Sequence, residues 1–465
     1  MSNKLIVIGL DCAVPDLVFN KFINDLPNLR YLIDHGISAP MRSSDPPITI
    51  PAWLIMCTGV DAGFLGLYGF RHRLNNSYTD IWIANTQKVK MQKVWDILGD
   101  FGLKSCLIGI PPSYPIKRNE GWTISCFITP DTTKQYTHPK ELKQEIEALV
   151  GEYMFDVEFR TDLKDKLIKG LFEMTKRRHK VIKYLLKEKP WDFFMFVEIG
   201  LDRVQHAFWK FFDEKHIRHK PGKYSKVIPD YYRLLDKQIG EILDLIDDDT
   251  KVLVVSDHGG KAMSGCFCIN EWLIKEGYLV LRNYPQKMTR LEECDIDWSK
   301  TKAWGWGGYY ARIFFNVKGR EPQGIIDPEN LEQEKMELIE KIMQIKDPNG
   351  RIMKNKVYEP KDLYKIVKGD PPDLMVYFDD LYWRSAGTIG HNKLFLEEND
   401  TGPDDLVHDY YGIFILYDPK IKKKIRLDKV SIFDISPTIL NIFDLDVPGY
   451  MKGNIIGYGK NNGQV

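Results

Sequence analysis

Four short apolar runs, most of them leading to polar or charged residues, constrain the fold of this 465-residue chain more than any other feature. They span residues 4–9, 105–110, 193–197 and 252–255 and consist mostly of Ile, Val, Leu and Phe. Continuous apolar runs of this length are typical of parallel strands that are buried on both faces of a sheet. The first run leads directly to Asp11, and the last two lead within a few residues to acidic residues and histidines.

Helical patterns lie between these runs, at residues 139–149 and 164–187. Alternation of strand and helix, with polar groups just after the strand ends, predicts an open α/β sheet with its functional site at the carboxyl edge. The pattern changes between about 280 and 385, where an aromatic and glycine-rich run is followed by a charged helix near 329–345. We predict that this stretch is an insertion or cap and that a helix at 434–443 returns to the core.

The charge balance bears on binding partners, because 65 Lys and Arg residues match 65 Asp and Glu residues. There is no global basic field, so we predict no binding of polymeric nucleic acid. No run of about 18 apolar residues predicts a membrane-spanning helix, and the short apolar start does not resemble a signal peptide. A cytoplasmic protein is therefore expected. The seven cysteines have no paired spacing and are expected to be reduced. No pattern predicts the oligomeric state.

Separate segments supply the residue types that a two-metal site requires. Asp11 follows the first strand, and Thr49 stands two residues before Pro51 at the predicted start of a helix. A hydroxyl there can act as a nucleophile, because helix N-terminal amides stabilise negative charge and phosphoryl oxygens. In isolation, either residue would be interpreted as a helix cap.

The remaining candidate ligands are carboxylates and imidazoles, which bind divalent ions such as zinc and manganese. Asp202 and His206 are four residues apart, a spacing that puts both on one face of a helix. Asp257 and His258 follow the fourth apolar run, ahead of two glycines that permit a tight turn, and His408 precedes a further β run. Alone, an Asp and His pair on a helix is usually a surface or capping pair.

The order Asp, Thr-x-Pro, Asp-x-x-x-His, Asp-His-Gly, His resembles the alkaline phosphatase superfamily over nearly the whole chain. Within it, the chain most resembles the type I phosphodiesterase/nucleotide pyrophosphatase branch and archaeal and bacterial relatives known as predicted phosphohydrolases or phosphomutases. The resemblance implies a single catalytic domain over residues 1–465, with a three-layer α/β/α core, a mostly parallel central sheet and the cap inserted at about 280–385.

The resemblance also implies roles for individual residues. One divalent ion is expected on Asp202, His206 and His408, and the other on Asp11, Asp257 and His258. Thr49 is expected to bridge toward the second ion and to attack phosphorus. Zn²⁺ is the expected metal and Mn²⁺ the alternative. The implied reaction is hydrolysis of a small-molecule phosphate ester, most simply a diester, through a phosphothreonine intermediate.

Several residues bear on the substrate. The Asn that commonly follows Thr-x-Pro in the nucleotide branch is replaced by Ala52, which weakens the case for a nucleotide substrate. Arg203, Lys261 and His391 are candidates for substrate contacts, and each has the alternative of a solvated charge or a structural histidine. The cap aromatics could stack on a nucleobase or pack between cap and core; they are Trp304, Trp306, Tyr309 and Tyr310.

Three rival functions share parts of this pattern. Sulfatases of the superfamily use Cys or Ser followed by x-Pro-x-Arg, and Trp53 stands where that Arg is required. A metal-dependent phosphomutase would use the same ligands and return the phosphoryl group to an organic acceptor. A catalytically inactive metal-binding protein is a third alternative, which the presence of every ligand and of the hydroxyl disfavours.

Overall fold

A ten-stranded sheet forms the centre of the computed structural model, which describes residues 3–457. Across the sheet, the strands are Ile425–Arg426, Gly36–Arg42, Tyr411–Tyr417, Lys251–Val255, Leu5–Leu10, Phe193–Glu198, Ser105–Ile108, Gly121–Ile124 and Thr137–His138, and Val430–Ser431 also pairs with Gly36–Arg42. The run from Lys251–Val255 to Gly121–Ile124 is parallel throughout. Tyr411–Tyr417 and Thr137–His138 are antiparallel to the strands of that run beside them.

Helices cover both faces of the sheet, because successive residues of the buried central strands point to opposite faces. Ile6 and Ile8 pack with the helices on one face, which are Pro27–Asp34, Leu142–Val150, Lys164–Glu188, Gly200–Phe212 and Val227–Leu243. Leu5 and Val7 pack with those on the other face, which are Thr49–Thr58, Val94–Asp100 and Ile435–Ile442. The predicted three-layer α/β/α fold with a mostly parallel sheet is confirmed.

The predicted strand at 105–110 ends early, at Ile108. Gly109 has a φ of 69°, a left-handed conformation that does not continue a strand. The prolines at 111 and 112 then lack the N–H groups that would extend the ladder. The other three predicted strands form within a residue or so of the predicted positions.

The chain between Lys251–Val255 and Tyr411–Tyr417 lies outside the main sheet and forms smaller ones. A four-stranded sheet consists of Ala303–Trp306, Ala311–Phe315, Leu374–Tyr377 and Lys356–Tyr358. The other strands of the segment are Gly259–Ala262, Gly265–Cys268, Leu281–Asn283, Asp295–Ile296, Trp383–Ala386, Phe395–Leu396 and Leu406–Asp409, and its helices are Ile269–Lys275, Leu331–Met343 and Pro360–Leu363. The predicted insertion at 280–385 falls within this longer segment.

The segment has its own apolar cluster, which extends past both predicted boundaries of the insertion. Phe267 and Ile389 belong to it together with Trp304 and Phe314. The extension arises because Gly265–Cys268 pairs in parallel with Trp383–Ala386.

Two further strands, Arg71–Arg73 and Ile81–Ile83, form a hairpin after the short helix Ala62–Leu65. Within residues 3–457, no helix is both long and apolar enough to cross a membrane.

Candidate active site

The predicted metal ligands converge at the carboxyl edge of three neighbouring parallel strands. Asp11 follows Leu5–Leu10, the pair Asp257 and His258 follows Lys251–Val255, and the helix after Phe193–Glu198 carries Asp202 and His206. All five side chains are fully buried. Parallel strands end at the same edge, so the register of the sheet alone brings these segments together.

Two further elements complete the site. His408 lies on Leu406–Asp409, which pairs antiparallel with Gly259–Ala262 in a register that sets His408 opposite Gly260. This pairing stacks the rings of His408 and His258, with centroids 3.7 Å apart and an interplanar angle of 20°. Thr49 is the first residue of the helix Thr49–Thr58 and is 2% exposed.

Asp202, His206 and His408 form one group of potential ligands. The Oδ1 atom of Asp202 lies 3.2 Å from Nε2 of His206 and 3.6 Å from Nε2 of His408. The two Nε2 atoms are 3.3 Å apart. The three side chains thus direct one ligand atom each to a common point that can hold a metal ion.

A second group lies around His258. Its Nε2 atom is 3.0 Å from Oδ2 of Asp257, 3.8 Å from Oδ1 of Asp11 and 3.2 Å from the Thr49 hydroxyl. Asp11, Asp202 and His258 have ligand atoms within 4.8 Å of one another. The Asp202 carboxylate therefore lies between the two groups, and Asp257 adjoins the second through His258.

Three buried carboxylate oxygens of these groups have no hydrogen-bond partner within residues 3–457, namely Oδ1 of Asp11, Oδ1 of Asp202 and Oδ2 of Asp257. The other oxygen of each is held. Asp11 accepts from Trp53 Nε1 at 2.7 Å, Asp202 from Arg203 Nη1 at 2.7 Å and Asp257 from the Cys12 amide at 3.2 Å. Buried carboxylate oxygens without donors are costly unless cations neutralise them, so these residues fit bound divalent ions.

The three histidines are oriented in the same way. His258 Nδ1 donates to Gly259 O at 3.0 Å, and His408 Nδ1 donates to Pro47 O at 2.9 Å. His206 Nδ1 donates to Asp404 Oδ1 at 2.6 Å. Because these acceptors cannot donate, Nδ1 carries the proton in each ring. When the rings are neutral, their Nε2 lone pairs therefore face the carboxylates, which is the tautomer that a metal ligand requires.

The electrostatics of the site favour cations. Burial and the neighbouring Asp257 carboxylate raise the pKa of Asp11 well above its usual range, and burial also raises the pKa of Asp257. Burial opposes the charged form of His258, but Asp257 outweighs it and raises the pKa of His258 to about 9. Burial likewise opposes ionisation of Asp202, yet His206 and Arg203 hold its pKa well below the usual range. A dry cluster of mutually repelling carboxylates is stabilised by positive charge.

The three residues predicted to contact substrate have different surroundings. Arg203 reaches the site, but it is 7% exposed and its guanidinium donates to Asp202 and, at 2.7 Å, to Asp156 Oδ2. It holds Asp202 in place. Lys261 Nζ donates to Asp380 O at 2.8 Å and to Asp409 Oδ1 at 3.1 Å.

His391 lies in a separate polar cluster. Its Nε2 atom is 2.8 Å from Thr388 Oγ1, and its backbone amide donates to Glu271 at 2.8 Å. Neither Lys261 nor His391 shares a hydrogen bond with a metal-ligand candidate within the described chain. Their contact with substrate stays a prediction.

Residues that the sequence did not single out support the site. Asp404 holds His206, as noted above, and its Oδ2 accepts from Arg384 at 2.9 Å and from Arg160 at 3.1 Å. Trp53 orients Asp11. Both residues stand within four positions of a predicted site residue, but neither follows a periodic pattern. No sequence signal distinguishes them from ordinary core residues.

Of the four cap aromatics, Tyr309 is the one that reaches the candidate ligands. Its ring stacks on His408 with centroids 3.6 Å apart, and its hydroxyl lies 3.3 Å from His206 Nε2. Trp304 and Trp306 pack against Phe314, and the Tyr310 hydroxyl donates to Tyr68 O. Trp304 and Trp306 thus pack within the cap, and Tyr310 packs between the cap and the core. Stacking of a cap aromatic on a nucleobase stays a prediction.

A cavity of about 190 Å³ lies between the helix Val94–Asp100 and the strand Ser105–Ile108. Val89, Ile110 and Lys93 line it, and none of the predicted site residues does. The ligand cluster lies apart from this cavity, and its chemistry marks it as the functional site.

An α/β sheet whose carboxyl edge joins two carboxylate and imidazole groups to a helix-terminal hydroxyl provides the groups that metal-dependent cleavage of a phosphoric ester requires. Residues 5–404 match the type I phosphodiesterase/nucleotide pyrophosphatase family, and the chain belongs to it. The predicted membership of the alkaline phosphatase superfamily, in its type I phosphodiesterase/nucleotide pyrophosphatase branch, is confirmed.

Solved structures with the same fold include human and murine ectonucleotide pyrophosphatase/phosphodiesterase 5. The human structure has a TM-score of 0.58 at 13% identity and covers 97% of both chains. An inactive threonine-to-alanine variant of the murine protein in complex with AMP has a TM-score of 0.55 at 12% identity, again covering 97% of both chains.

Two proteins named GPI ethanolamine phosphate transferase 2 are also similar. The one from Eremothecium gossypii is 22% identical over 260 residues, 55% of this chain and 25% of that protein. The one from Kluyveromyces lactis is 35% identical over 72 residues, 16% of this chain and 8% of that protein. The chain therefore spans a quarter or less of the length of these relatives.

Proposed function

We propose that this enzyme hydrolyses phosphate diesters with Thr49 as the nucleophile and two divalent ions, Zn²⁺ in preference to Mn²⁺, as cofactors. Asp202, His206 and His408 would hold one ion, and Asp11, Asp257 and His258 the other. The observation that carries the proposal is the Thr49 hydroxyl, which lies 3.2 Å from His258 Nε2 beside the unpartnered oxygens of three buried carboxylates.

The setting of Thr49 supports a nucleophile. It begins a ten-residue helix, whose N-terminal end stabilises the negative charge that develops on an attacking oxygen and on phosphoryl oxygens. The N-cap residue of this helix is Ile48, and the Thr49 hydroxyl is directed at the candidate ligand His258. Loss of activity in a threonine variant of a protein with the same fold supports the same role.

The ions, when bound, would supply neutralisation of the charge on the phosphate ester and make the hydroxyl more acidic. Thr49 Oγ1 would then form a bond to phosphorus as the bond to the leaving oxygen breaks, and the hydroxyl proton would pass to solvent. A diester leaves one ester group on phosphorus, so the intermediate is a substituted phosphothreonine. Water would add to phosphorus in the second half and release Thr49.

The histidines and their partners would keep this arrangement fixed. Asp404, Pro47 O and Gly259 O hold the three Nδ1 protons, which keeps each Nε2 lone pair directed inward during turnover. Trp53 and Arg203 hold the outer oxygens of Asp11 and Asp202. The burial of these side chains strengthens the attraction between ligands and cations.

Transfer of the phosphoryl group to an alcohol instead of water is a second candidate reaction, because the two relatives are named as transferases. A transferase or phosphomutase would use the same first step and pass the phosphoryl group to an alcohol. Turnover of a p-nitrophenyl diester in water, with and without added glycerol, separates the two. Release of p-nitrophenol without an alkyl phosphate product supports hydrolysis, and a product ester of glycerol supports transfer.

The test of the proposed function is a turnover panel on metal-loaded protein with bis(p-nitrophenyl) phosphate, p-nitrophenyl phosphate and sugar phosphates. We expect preference for the diester and loss of about 10³-fold or more in kcat for Thr49→Ala, with Thr49→Ser retaining part of the activity. Metal content measured in parallel serves as the control. Near-wild-type turnover by Thr49→Ala with both ions bound would refute the nucleophile.

A further inference from the structure

The cap contributes one hydroxyl to the catalytic centre, and the mechanism above leaves it without a role. Tyr309 lies between Ala303–Trp306 and Ala311–Phe315, and its hydroxyl is 3.3 Å from His206 Nε2, the atom that faces Asp202. Its ring covers His408 at a centroid distance of 3.6 Å and an interplanar angle of 24°. A side chain that covers two ligand candidates at once borders the space where substrate must enter.

The backbone around Tyr309 is fixed to a neighbouring strand. Gly308 exchanges two hydrogen bonds with Ser385, at 2.8 and 2.9 Å. A Cβ at Gly307 would come within 2.4 Å of Ser385 O, so a larger residue would push the loop away from this strand. The strand Trp383–Ala386 therefore fixes the position of Tyr309 relative to the candidate metal ligands.

Arg384 fixes the ring itself. Its guanidinium lies 4.2 Å from the centroid of the Tyr309 ring and donates to Asp404 Oδ2. The other oxygen of Asp404 holds His206. Arg384 thus contacts both Tyr309 and Asp404, and Asp404 in turn holds His206. The position of the Tyr309 hydroxyl is therefore coupled to the orientation of the His206 ring.

Tyr309 and His258 lie on opposite faces of the His408 ring. Both Tyr309 and His258 stack on the His408 ring at under 4 Å, and one face of an imidazole cannot accommodate both. Thr49 is next to His258, whereas the Tyr309 hydroxyl is next to His206. In an in-line displacement at phosphorus, the leaving oxygen departs on the side opposite the nucleophile.

We propose that Tyr309 donates a hydrogen bond to the leaving-group oxygen of the substrate. The inference rests on Thr49 as the nucleophile. As the bond from Thr49 Oγ1 to phosphorus forms and the bond to the leaving oxygen breaks, negative charge grows on that oxygen, and the Tyr309 O–H stabilises it. The phenolic proton stays on Tyr309, and the leaving group is protonated by solvent after release. Tyr309 is then a catalytic residue supplied by the cap, and its ring is a packing surface rather than a nucleobase platform.

The test is Tyr309→Phe, which keeps the ring between Arg384 and His408 and removes the hydroxyl alone. A series of symmetrical diaryl phosphates, from electron-poor to electron-rich phenols, varies the charge on the leaving oxygen. We expect kcat/KM to fall by about 10²-fold for the poorest leaving group and little for p-nitrophenol, because a good leaving group needs no donor. The slope of log kcat/KM against the pKa of the leaving phenol should therefore become steeper. Binding of inorganic phosphate, measured by calorimetry, should weaken by about tenfold.

Tyr310→Phe is the matched control, because it removes a hydroxyl from the adjacent residue, whose partner is Tyr68 O in the packed core. We expect it to retain the wild-type slope and phosphate affinity. Parallel slopes for Tyr309→Phe and wild type, or unchanged phosphate binding with equal metal content, would overturn the role of Tyr309 while leaving Thr49 untouched. Full activity of Thr49→Ala would instead overturn the proposed function on which the inference rests.

Discussion

Replacement of Asp404 by Asn tests how far the site depends on a residue outside the ligand set. Asp404 is fully buried, and its Oδ1 accepts from His206 Nδ1 at 2.6 Å. Its Oδ2 accepts from Arg384 and Arg160, so all its neighbours are donors. The Asn amide has one acceptor oxygen and one NH₂ group. In the Asn variant, the NH₂ group must therefore lie against either the His206 N–H or the arginine N–H groups, which are themselves donors.

Two magnitudes follow. Loss of the charge leaves Arg384, which is 3% exposed, without its counter-ion, and breaking a buried pair of this kind lowers the free energy of unfolding by about 3–5 kcal/mol. Arg160 is partly exposed and retains solvent, so it adds little. Loss of the fixed His206 tautomer weakens metal binding at the Asp202, His206 and His408 group by about 10- to 100-fold.

The assay combines urea unfolding of the metal-free protein with metal affinity measured by competition against a chelator. Asp405→Asn is the matched control, because Asp405 is also buried and ion-paired, at 3.2 Å from Lys210, but its side chain does not hold His206. It should lose stability and keep metal affinity. If Asp404→Asn binds metal as tightly as wild type, or no more weakly than the control, the assigned role of Asp404 is wrong.

Three other predictions follow from the same structure. Burial lowers the pKa of His72 to about 3, whereas an unfolded histidine titrates near 6.5. As the pH falls, the unfolded chain therefore takes up the proton first. The free energy of unfolding should drop by about 2 kcal/mol between about pH 7.5 and about pH 5. His72→Gln, unfolded in urea at both pH values, should lack this part of the pH dependence, and an unchanged dependence would contradict the buried neutral ring. Chelation of divalent ions should lower the thermal midpoint, since re-addition at about 10³ times Kd contributes about 4 kcal/mol per site; a midpoint insensitive to metal would argue against cation binding by the buried carboxylates. Trp306→Ala should lower the free energy of unfolding by about 3–5 kcal/mol, because the ring is 7% exposed, yet leave the ratio of rates on nucleotide and non-nucleotide diesters unchanged. A selective loss on nucleotides would restore the stacking hypothesis.

The sequence predicted those parts of the site that follow from sheet topology. Asp11 and Asp257 come directly after apolar runs, and neighbouring parallel strands must end at one edge, so their approach could be predicted without coordinates. The spacing of Asp202 and His206 similarly determines a shared helix face. The boundaries of these elements were predicted well because apolar runs and glycines mark them.

Contacts between distant segments without periodicity could not be predicted in this way. Asp404 is separated by 198 positions from His206, and Tyr309 by 103 positions. Both depend on how the chain outside the main sheet folds back onto the carboxyl edge. The pairing of Gly259–Ala262 with Leu406–Asp409 positions the segment next to Asp404, and the bridge between Gly308 and Ser385 positions Tyr309. Arg203 shows a related limit, because its position beside Asp202 in the sequence did not reveal its ion pair with Asp156. Its contact with substrate stays a prediction.

The measurement that tests the central claim most directly is a rapid acid quench of metal-loaded enzyme during turnover of bis(p-nitrophenyl) phosphate, followed by peptide mass spectrometry. The account predicts a nitrophenyl phosphoryl adduct on the peptide that contains Thr49, absent from Thr49→Ala and formed in a burst with the first equivalent of p-nitrophenol. Turnover with a full complement of metal and no adduct at Thr49, or an adduct on another residue, would contradict the assignment of Thr49 as the nucleophile.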